Sequence, residues 1–140
     1  MTAPVSIRFD PALLARLRRR ASALGSSSTS ALAQRLIDEG LRMADFPGVI
    51  FKDGPSGRRA ALAYGPDIWE VVKFLGEVDE RGPAAIDAAA ETFATDVSRI
   101  SIAVSYYSSY HDEIDVEIAD ADEASAAAEE AWRIQRQLIS

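Results

Sequence analysis

Two groups of side chains in this chain have the types and the spacing to recognise another molecule. Ser6 and Arg8 lie two residues apart near the N-terminus, and Pro4 precedes them. An arginine can donate two hydrogen bonds to the O6 and N7 atoms of guanine, which is how proteins read that base in the major groove of DNA. The second group is a run of hydroxyl side chains that could hold a phosphate at a helix N-terminus. Its members are Ser28, Thr29 and Ser30.

The only cluster with catalytic residue types is His111-Asp112-Glu113 together with Asp115. His111 and Asp115 have the four-residue spacing of metal ligands on a helix, but the chain has one histidine and no cysteine. A metal or general-base site needs further groups that converge on it, and the sequence has no nucleophile elbow and no glycine-rich phosphate loop. We therefore predict no enzyme activity, no metal site and no cofactor, and we interpret His111 as a surface residue.

The first group needs an extended segment that presents alternate side chains. Residues 5–9 alternate between apolar and polar types, as expected of a half-buried strand. Ser6 and Arg8 would then share the outer face. The inner face would carry Val5, Ile7 and Phe9.

Two helices are predicted to follow this strand. Asp10 can cap the first helix, Pro11 suits its first turn, and Gly25 favours a left-handed stop. The polar run at 26–30 offers caps for a second helix, which Pro47 ends. A unit of about forty residues with a single strand is too small to bury enough surface alone. We therefore expect two chains to pair their strands antiparallel and to intertwine their helices.

In this order of elements the segment VSIRFDPALLARLRRRASALGSSSTSALAQRLIDEGLRM resembles the ribbon-helix-helix repressors of the CopG, Arc and MetJ type. The resemblance implies a dimeric module over 1–45 that binds double-stranded operator DNA. Pro4, Ser6 and Arg8 would lie at the bases, and the hydroxyls at 28–30 would lie near the phosphate. The alternative from the residues alone is that Arg8 is a solvated charge on an edge strand and that the serines form a flexible turn.

The charge distribution favours the same division of the chain. The net charge is −7, but residues 1–45 carry seven arginines against four acids, and residues 46–140 carry eight bases against eighteen acids. A basic module joined to an acidic one is expected when one end meets phosphate; ordinary scatter in surface charge is the alternative. No apolar run reaches the roughly 18 residues of a membrane span, and the start has no signal architecture. We expect a cytoplasmic protein with no membrane partner.

Residues 46–140 predict a small β-hairpin followed by a helical bundle with helix-turn-helix-like connections. Strands at 49–52 and 59–63 flank the turn residues 53–57. Further helices are predicted after Pro66-Asp67, at about 84–93, after Thr95 or Asp96, and at about 122–138.

The large aromatic side chains of this second module are interpreted as packing residues. On a helix Tyr106 and Tyr110 share a face, and Tyr107 is predicted to turn inward. Trp69 and Trp132 are predicted to pack in the core or at an interface. Stacking of the tyrosines on nucleic-acid bases is the alternative that these residue types leave open.

A resemblance to the small helical domain of VapB-type antitoxins covers about residues 50–120 and is carried by RRAALAYGPDIWEVVKFL and SRISIAVSYYSSYHDEIDVEI. The matching positions are Gly65, Asp67-Ile68-Trp69, Tyr106-Tyr107 and His111 to Asp115. The glycine-threonine-arginine start of that family is replaced by Tyr64-Gly65-Pro66-Asp67. The resemblance implies that this module binds and blocks a PIN-like toxin nuclease.

An acidic stretch near the C-terminus fits a basic partner surface, since opposite charges steer encounter. A solvated helix face is the alternative reading. The stretch contains no base between its acids, which are Asp112, Glu113, Asp115, Glu117, Asp120, Asp122 and Glu123.

The sequence thus predicts a mostly helical α+β protein with a ribbon-helix-helix module at 1–45, followed by a hairpin and helical bundle at 46–140. The predicted function is sequence-specific DNA binding by a homodimer or higher oligomer, as the autorepressing antitoxin of a type II toxin–antitoxin pair. A stand-alone regulator whose second module oligomerises or senses an effector is the alternative. A third reading is an interaction protein whose ribbon makes dimers without touching DNA.

Overall fold

The computed structural model describes residues 3–25 and 28–140. The chain divides into two compact units, Met1–Arg42 (unit 1) and Met43–Ser140 (unit 2). Within the described residues there are five helices and one two-stranded antiparallel sheet, so the fold is α+β and mostly helical. None of these helices combines the length and the apolar character that crossing a membrane requires.

The first helix, α1 (Pro11–Leu24), begins and ends where the capping residues predict. The carboxylate of Asp10 accepts hydrogen bonds from the backbone nitrogens of Ala12 and Leu13, at 3.2 and 3.4 Å. Gly25 has a φ of 74° and ends the helix in a conformation that favours glycine.

The second helix, α2 (Thr29–Asp45), follows a short connection. Its cap is Ser28, whose hydroxyl oxygen accepts a hydrogen bond from the Ala31 nitrogen at 3.0 Å. Ser26 and Ser27, which belong to the predicted polar turn, lie outside the described residues. Unit 1 therefore contains the two predicted helices, packed around Leu17, Ala21 and Leu32.

The predicted strand at 5–9 is not a strand in the single chain, because residues 3–10 have no regular secondary structure. A strand is defined by backbone hydrogen bonds to a neighbour, and the remaining described residues of unit 1 are helical or short connections. The strand expected from the alternating pattern would need a second chain as its partner. The ribbon arrangement of two chains stays a prediction.

Unit 2 begins with the predicted hairpin. Strands β1 (Val49–Gly54) and β2 (Gly57–Leu62) pair antiparallel, with a register that runs from Val49 opposite Leu62 to Gly54 opposite Gly57. Gly57 has a φ of 112°, a conformation that disfavours any residue with a side chain. The ladder extends to this glycine pair, so the turn is shorter than the predicted 53–57 loop.

Three helices complete unit 2 and pack against one another: α3 (Ile68–Glu77), α4 (Pro83–Thr92) and α5 (Val97–Ile139). Asp67 and Glu70 form a capping box at the start of α3, in which the Asp67 nitrogen donates to Glu70 Oε2 at 2.8 Å. Asp96 caps α5 by accepting from the Arg99 nitrogen at 2.9 Å. The helix-turn-helix-like character of this bundle stays a prediction.

The separate helix predicted at about 122–138 is the C-terminal part of α5, which spans 43 residues. The backbone of Tyr110, with φ −132° and ψ 36°, marks a kink within the helix. Residues 111–121 contain neither glycine nor proline, so nothing in that stretch breaks the helix.

The core of unit 2 corrects the prediction for the tyrosine pair. Tyr106 is fully buried and its hydroxyl donates to Glu113 Oε2 at 3.0 Å, while Tyr107 is half-buried and donates to Asp115 Oδ1 at 2.8 Å. The inward stripe of α5 contains Tyr106 rather than Tyr107, because the buried positions are Ile100, Ala103, Tyr106 and Ile114.

Asp67 is a buried carboxylate that connects the hairpin to α3. Its Oδ1 lies 3.0 Å from Lys52 Nζ, and its Oδ2 accepts hydrogen bonds from Arg59 Nε and from Trp69 Nε1, the latter at 3.1 Å. Only 4% of Asp67 is exposed. A buried charge is tolerated when it is paired and hydrogen-bonded in this way.

Candidate nucleic-acid interface

The N-terminal segment of unit 1 exposes both its polar and most of its apolar side chains. Pro4, Ser6 and Arg8 are exposed, and their contact with DNA stays a prediction. Val5 and Ile7 are also 77% and 57% exposed, although they belong to the predicted inner face. The chain thus leaves apolar surface in contact with water beside its candidate base-reading residues.

Unit 1 contains an apolar groove of about 450 Å³ beside the N-terminal segment. Val5, Ile7 and Phe9 line this groove together with side chains of α1 and α2. Ser6 and Arg8 are not among the described residues that line it. The alternation predicted from the sequence is therefore present, with apolar side chains towards the groove and polar ones elsewhere. The helical contributors are Leu14, Leu17, Thr29, Ser30, Ala33, Gln34 and Ile37.

The predicted phosphate-contacting residues lie at the start of α2. Ser28 uses its hydroxyl as the helix cap, so that oxygen is engaged within the protein. Ser30 is exposed and Thr29 partly exposed, and both lie at the groove. The first amides of a helix have no carbonyl partner within it and sit at the positive end of the helix dipole. Thr29 and Ser30 thus offer amides and hydroxyls to an anion, and Ser28 orders the turn.

The positive charge of unit 1 is concentrated on α1 and the segment before it. Two arginines of α2 lie beside acids: Arg42 Nε is 3.1 Å from Asp38 Oδ2, and Arg35 Nε is 3.9 Å from Glu39 Oε2. The remaining arginines of this unit are all exposed, namely Arg8, Arg16, Arg18, Arg19 and Arg20. Such a distribution attracts a polyanion through long-range electrostatics.

Sequence reasoning identified the exposed residues of this surface but not the groove beside them. Ala33, Gln34 and Ile37 of α2 contribute to the groove. A lining that combines two helices with an extended segment depends on how these elements pack.

The cluster around His111 makes separate local contacts. His111 is exposed, and its Nδ1 lies 2.9 Å from Asp112 Oδ1, while Asp115 accepts its hydrogen bond from Tyr107. His111 and Asp115 therefore interact with different partners. The described residues contain no group of three or more histidines, cysteines or acids arranged to hold a metal ion.

No family model, curated protein or solved structure matches the chain at a significant level. Its function is therefore inferred from the chemistry and geometry of its own residues.

Proposed function

We propose that the protein is a dimeric, sequence-specific DNA-binding regulator and the autorepressing antitoxin of a type II toxin–antitoxin pair. The observation that carries the DNA-binding half is the segregation of residues 5–9. Their apolar side chains line an open groove, and Ser6 and Arg8 are exposed outside it.

The incomplete core of unit 1 supports a dimer. Leu17, Ala21 and Leu32 are its only buried apolar residues within the described chain. A second copy whose segment 5–9 pairs with the first would cover Val5 and Ile7 and complete both strands. Further apolar side chains of α2 are exposed and available to the same partner, namely Leu36, Ile37 and Leu41.

The polar side chains of such a ribbon suit the major groove of DNA, which admits a two-stranded β-ribbon. The dimer would present two copies of Ser6 and Arg8 to base edges. The start of α2 would position the ribbon by holding phosphates through the amides of Thr29 and Ser30. These contacts divide the work into base reading by the ribbon and orientation by the helices.

The antitoxin half is supported by the surface of α5. Its acids between residues 112 and 130 have no base among them, and most of them are exposed. Further along the helix, Trp132, Leu138 and Ile139 are 56%, 85% and 83% exposed. A partner with a basic surface around an apolar patch, such as a nuclease that binds nucleic acid, would complement this helix.

The stand-alone regulator, whose second unit oligomerises or senses an effector, remains the second candidate. The exposure of Trp132, Leu138 and Ile139 would suit self-association as well as toxin binding. Co-expression with the product of a neighbouring gene for a small nuclease with an acidic site distinguishes the two. The antitoxin proposal expects a stoichiometric complex and loss of nuclease activity, and the alternative expects neither.

Replacing Arg8 with alanine tests the DNA-binding half. Wild type and Arg8→Ala are titrated by fluorescence anisotropy into a labelled duplex from upstream of the gene and into a scrambled duplex. Each lost bidentate contact is worth about 1–3 kcal/mol. A dimer that loses two should therefore bind the upstream duplex roughly 30-fold more weakly or worse. Arg133→Ala, which removes an exposed positive charge from unit 2, is the matched control and should bind like wild type.

Raising the salt concentration should weaken wild-type binding steeply, because phosphate contacts release counterions. Equal and weak binding to both duplexes, with no effect of Arg8→Ala, would contradict the proposal. Unit 1 would then be a dimerisation device that does not read DNA.

A further inference from the structure

Unit 2 contains a cavity of about 240 Å³ beside the hairpin turn. The residues that matter for its chemistry come from three elements: Arg58 and Arg59 from β2, Trp69 from α3, and Glu117 and Asp120 from α5. Glu117 and Asp120 lie three residues apart and therefore on neighbouring positions of one helix face. The cavity thus combines two carboxylates with an aromatic ring and two arginines.

Glu117 is the residue of this cavity whose bonding is incomplete. Its Oε2 atom is buried from solvent and accepts no hydrogen bond from any described residue. Burial first, and then the negative charges of Glu113, Asp67 and Asp120, raise the pKa of Glu117 to about 7, although the positive charge of Arg59 opposes this shift. A buried acceptor without a donor is costly and is often completed by a ligand.

The arginines of the cavity are already engaged with other carboxylates. Arg59 Nε donates to Asp67 Oδ2, and Arg58 Nη1 lies 3.4 Å from Asp53 Oδ2. Lys52 also pairs with Asp67. Although the charge of Arg59 acts on Glu117, neither arginine donates a hydrogen bond to Glu117 Oε2. A cationic guest that brings hydrogen-bond donors would complete this acceptor.

We propose that this cavity binds the guanidinium group of an arginine side chain from a partner protein, with Glu117 as its carboxylate acceptor and Trp69 as its aromatic wall. A guanidinium is planar, offers paired donors to a carboxylate and stacks on aromatic rings, and an ammonium lacks this shape. The indole of Trp69 is held by its hydrogen bond to Asp67, so the wall is formed before the guest arrives. The inference rests on the partner-binding half of the proposed function and is independent of the DNA-binding half.

The test follows Trp69 fluorescence in the full chain. The protein has two tryptophans, so the exposed Trp132 is replaced in Trp132→Phe to leave Trp69 as the reporter. This protein is titrated with N-acetyl-arginine methylamide, and with the citrulline analogue, which has the same shape without the charge. We expect a saturable fluorescence change with the arginine probe, at least tenfold weaker binding of the citrulline probe, and intermediate binding of the lysine analogue.

Two variants identify the acceptor. In the Trp132→Phe background, Glu117→Gln should abolish the saturable response to the arginine probe. Glu129→Gln removes the same charge from an exposed position on the same helix and should respond like its parent. Thermal melting at pH 8 checks that a lost response is not caused by unfolding of the variant. A neutral amide at a partly buried position should leave Glu117→Gln at least as stable as its parent.

The pH dependence provides an independent readout. The cation binds the ionised carboxylate, so affinity should rise as Glu117 loses its proton. With a pKa near 7, the ionised fraction rises about tenfold between pH 6 and pH 8. The charged groups that face Glu117 are Arg59, Asp67, Glu113 and Asp120. The arginine probe should therefore bind about tenfold more tightly at pH 8, and the dependence should disappear in Glu117→Gln.

Equal responses to arginine and citrulline, or an unchanged response in Glu117→Gln, would overturn the assignment of this cavity. Such a result would not contradict the proposals of DNA binding and toxin binding, because each of these is tested by its own experiment. Conversely, an arginine response in a chain that binds no nuclease would support the cavity and contradict only the antitoxin proposal.

Discussion

Replacing Leu17 with alanine is expected to weaken dimerisation and DNA binding together. Leu17 is one of three buried apolar residues of unit 1, and it also lines the groove that a second copy would fill. Truncating a buried leucine costs about 2–5 kcal/mol through lost burial and the cavity that remains. In a unit whose core is so small, a loss of this size is large compared with the whole free energy of folding.

The measurement combines sedimentation velocity across a range of protein concentrations with the anisotropy titration. Leu17→Ala should dissociate at concentrations where wild type is dimeric, and its DNA affinity should recover as protein concentration rises. Arg8→Ala should not recover, because it removes a contact rather than the dimer. The matched truncation Leu138→Ala, at a largely exposed side chain of unit 2, should leave both properties near wild type. Normal DNA affinity of Leu17→Ala at low protein concentration would contradict the proposed dimer.

Replacing Asp67 with alanine is the second change with a large expected effect. It leaves Lys52 and Arg59 without their shared carboxylate and the Trp69 N–H without its acceptor, and it removes the capping box of α3. Removing one partner of a buried ion pair costs about 3–5 kcal/mol, because the remaining charge is uncompensated. We expect unit 2 to lose a comparable amount of stability.

Urea unfolding followed by Trp69 fluorescence in the Trp132→Phe background reports on unit 2 directly. Asp53→Ala is the control, since its carboxylate is exposed and pairs with Arg58 at the surface; exposed pairs contribute about 0–1 kcal/mol. Asp67→Asn should fall between the two, because an amide can still cap the helix and accept a hydrogen bond. If Asp67→Ala and Asp53→Ala lose the same small amount of stability, the network around Asp67 does not hold the hairpin on α3.

Local chemistry allowed much of the fold to be predicted. Asp10-Pro11 and Gly25 mark the ends of α1 because capping depends on residues within one turn. The hairpin is predictable for the same reason, since its turn is rich in glycine and proline. These signals act over three or four residues, and the sequence displays them in full.

Features that depend on packing could not be predicted in this way. Tyr106 and Tyr107 are neighbours of equal type, and only contact with the rest of unit 2 selects which one is buried. Trp132 is large and apolar, yet it lies on a part of α5 that the described chain does not cover. Residues 5–9 alternate between apolar and polar types, but they pair with no strand among the described residues.

The candidate sites also differ in whether local sequence patterns or tertiary packing determine them. The exposure of Ser6 and Arg8 and the capping role of Ser28 follow from local patterns. Glu117 gave no such signal, because it is one acid in an acidic stretch and its burial results from the approach of the hairpin and α3. The residue type alone predicts that Glu117 is acidic, whereas its raised pKa results from burial in the tertiary structure.

The length of α5 has a consequence for how long the chain survives proteolysis when no partner is bound. At about 1.5 Å per residue this helix would extend roughly 65 Å, and all residues from 122 onward are exposed. Most helical stability in proteins comes from tertiary packing, so this exposed C-terminal segment should open locally while the packed part of α5 around Tyr106 stays closed. Its amides should exchange quickly with solvent, and proteases should cut it first. Any partner that covers this segment would then lengthen the lifetime of the whole chain.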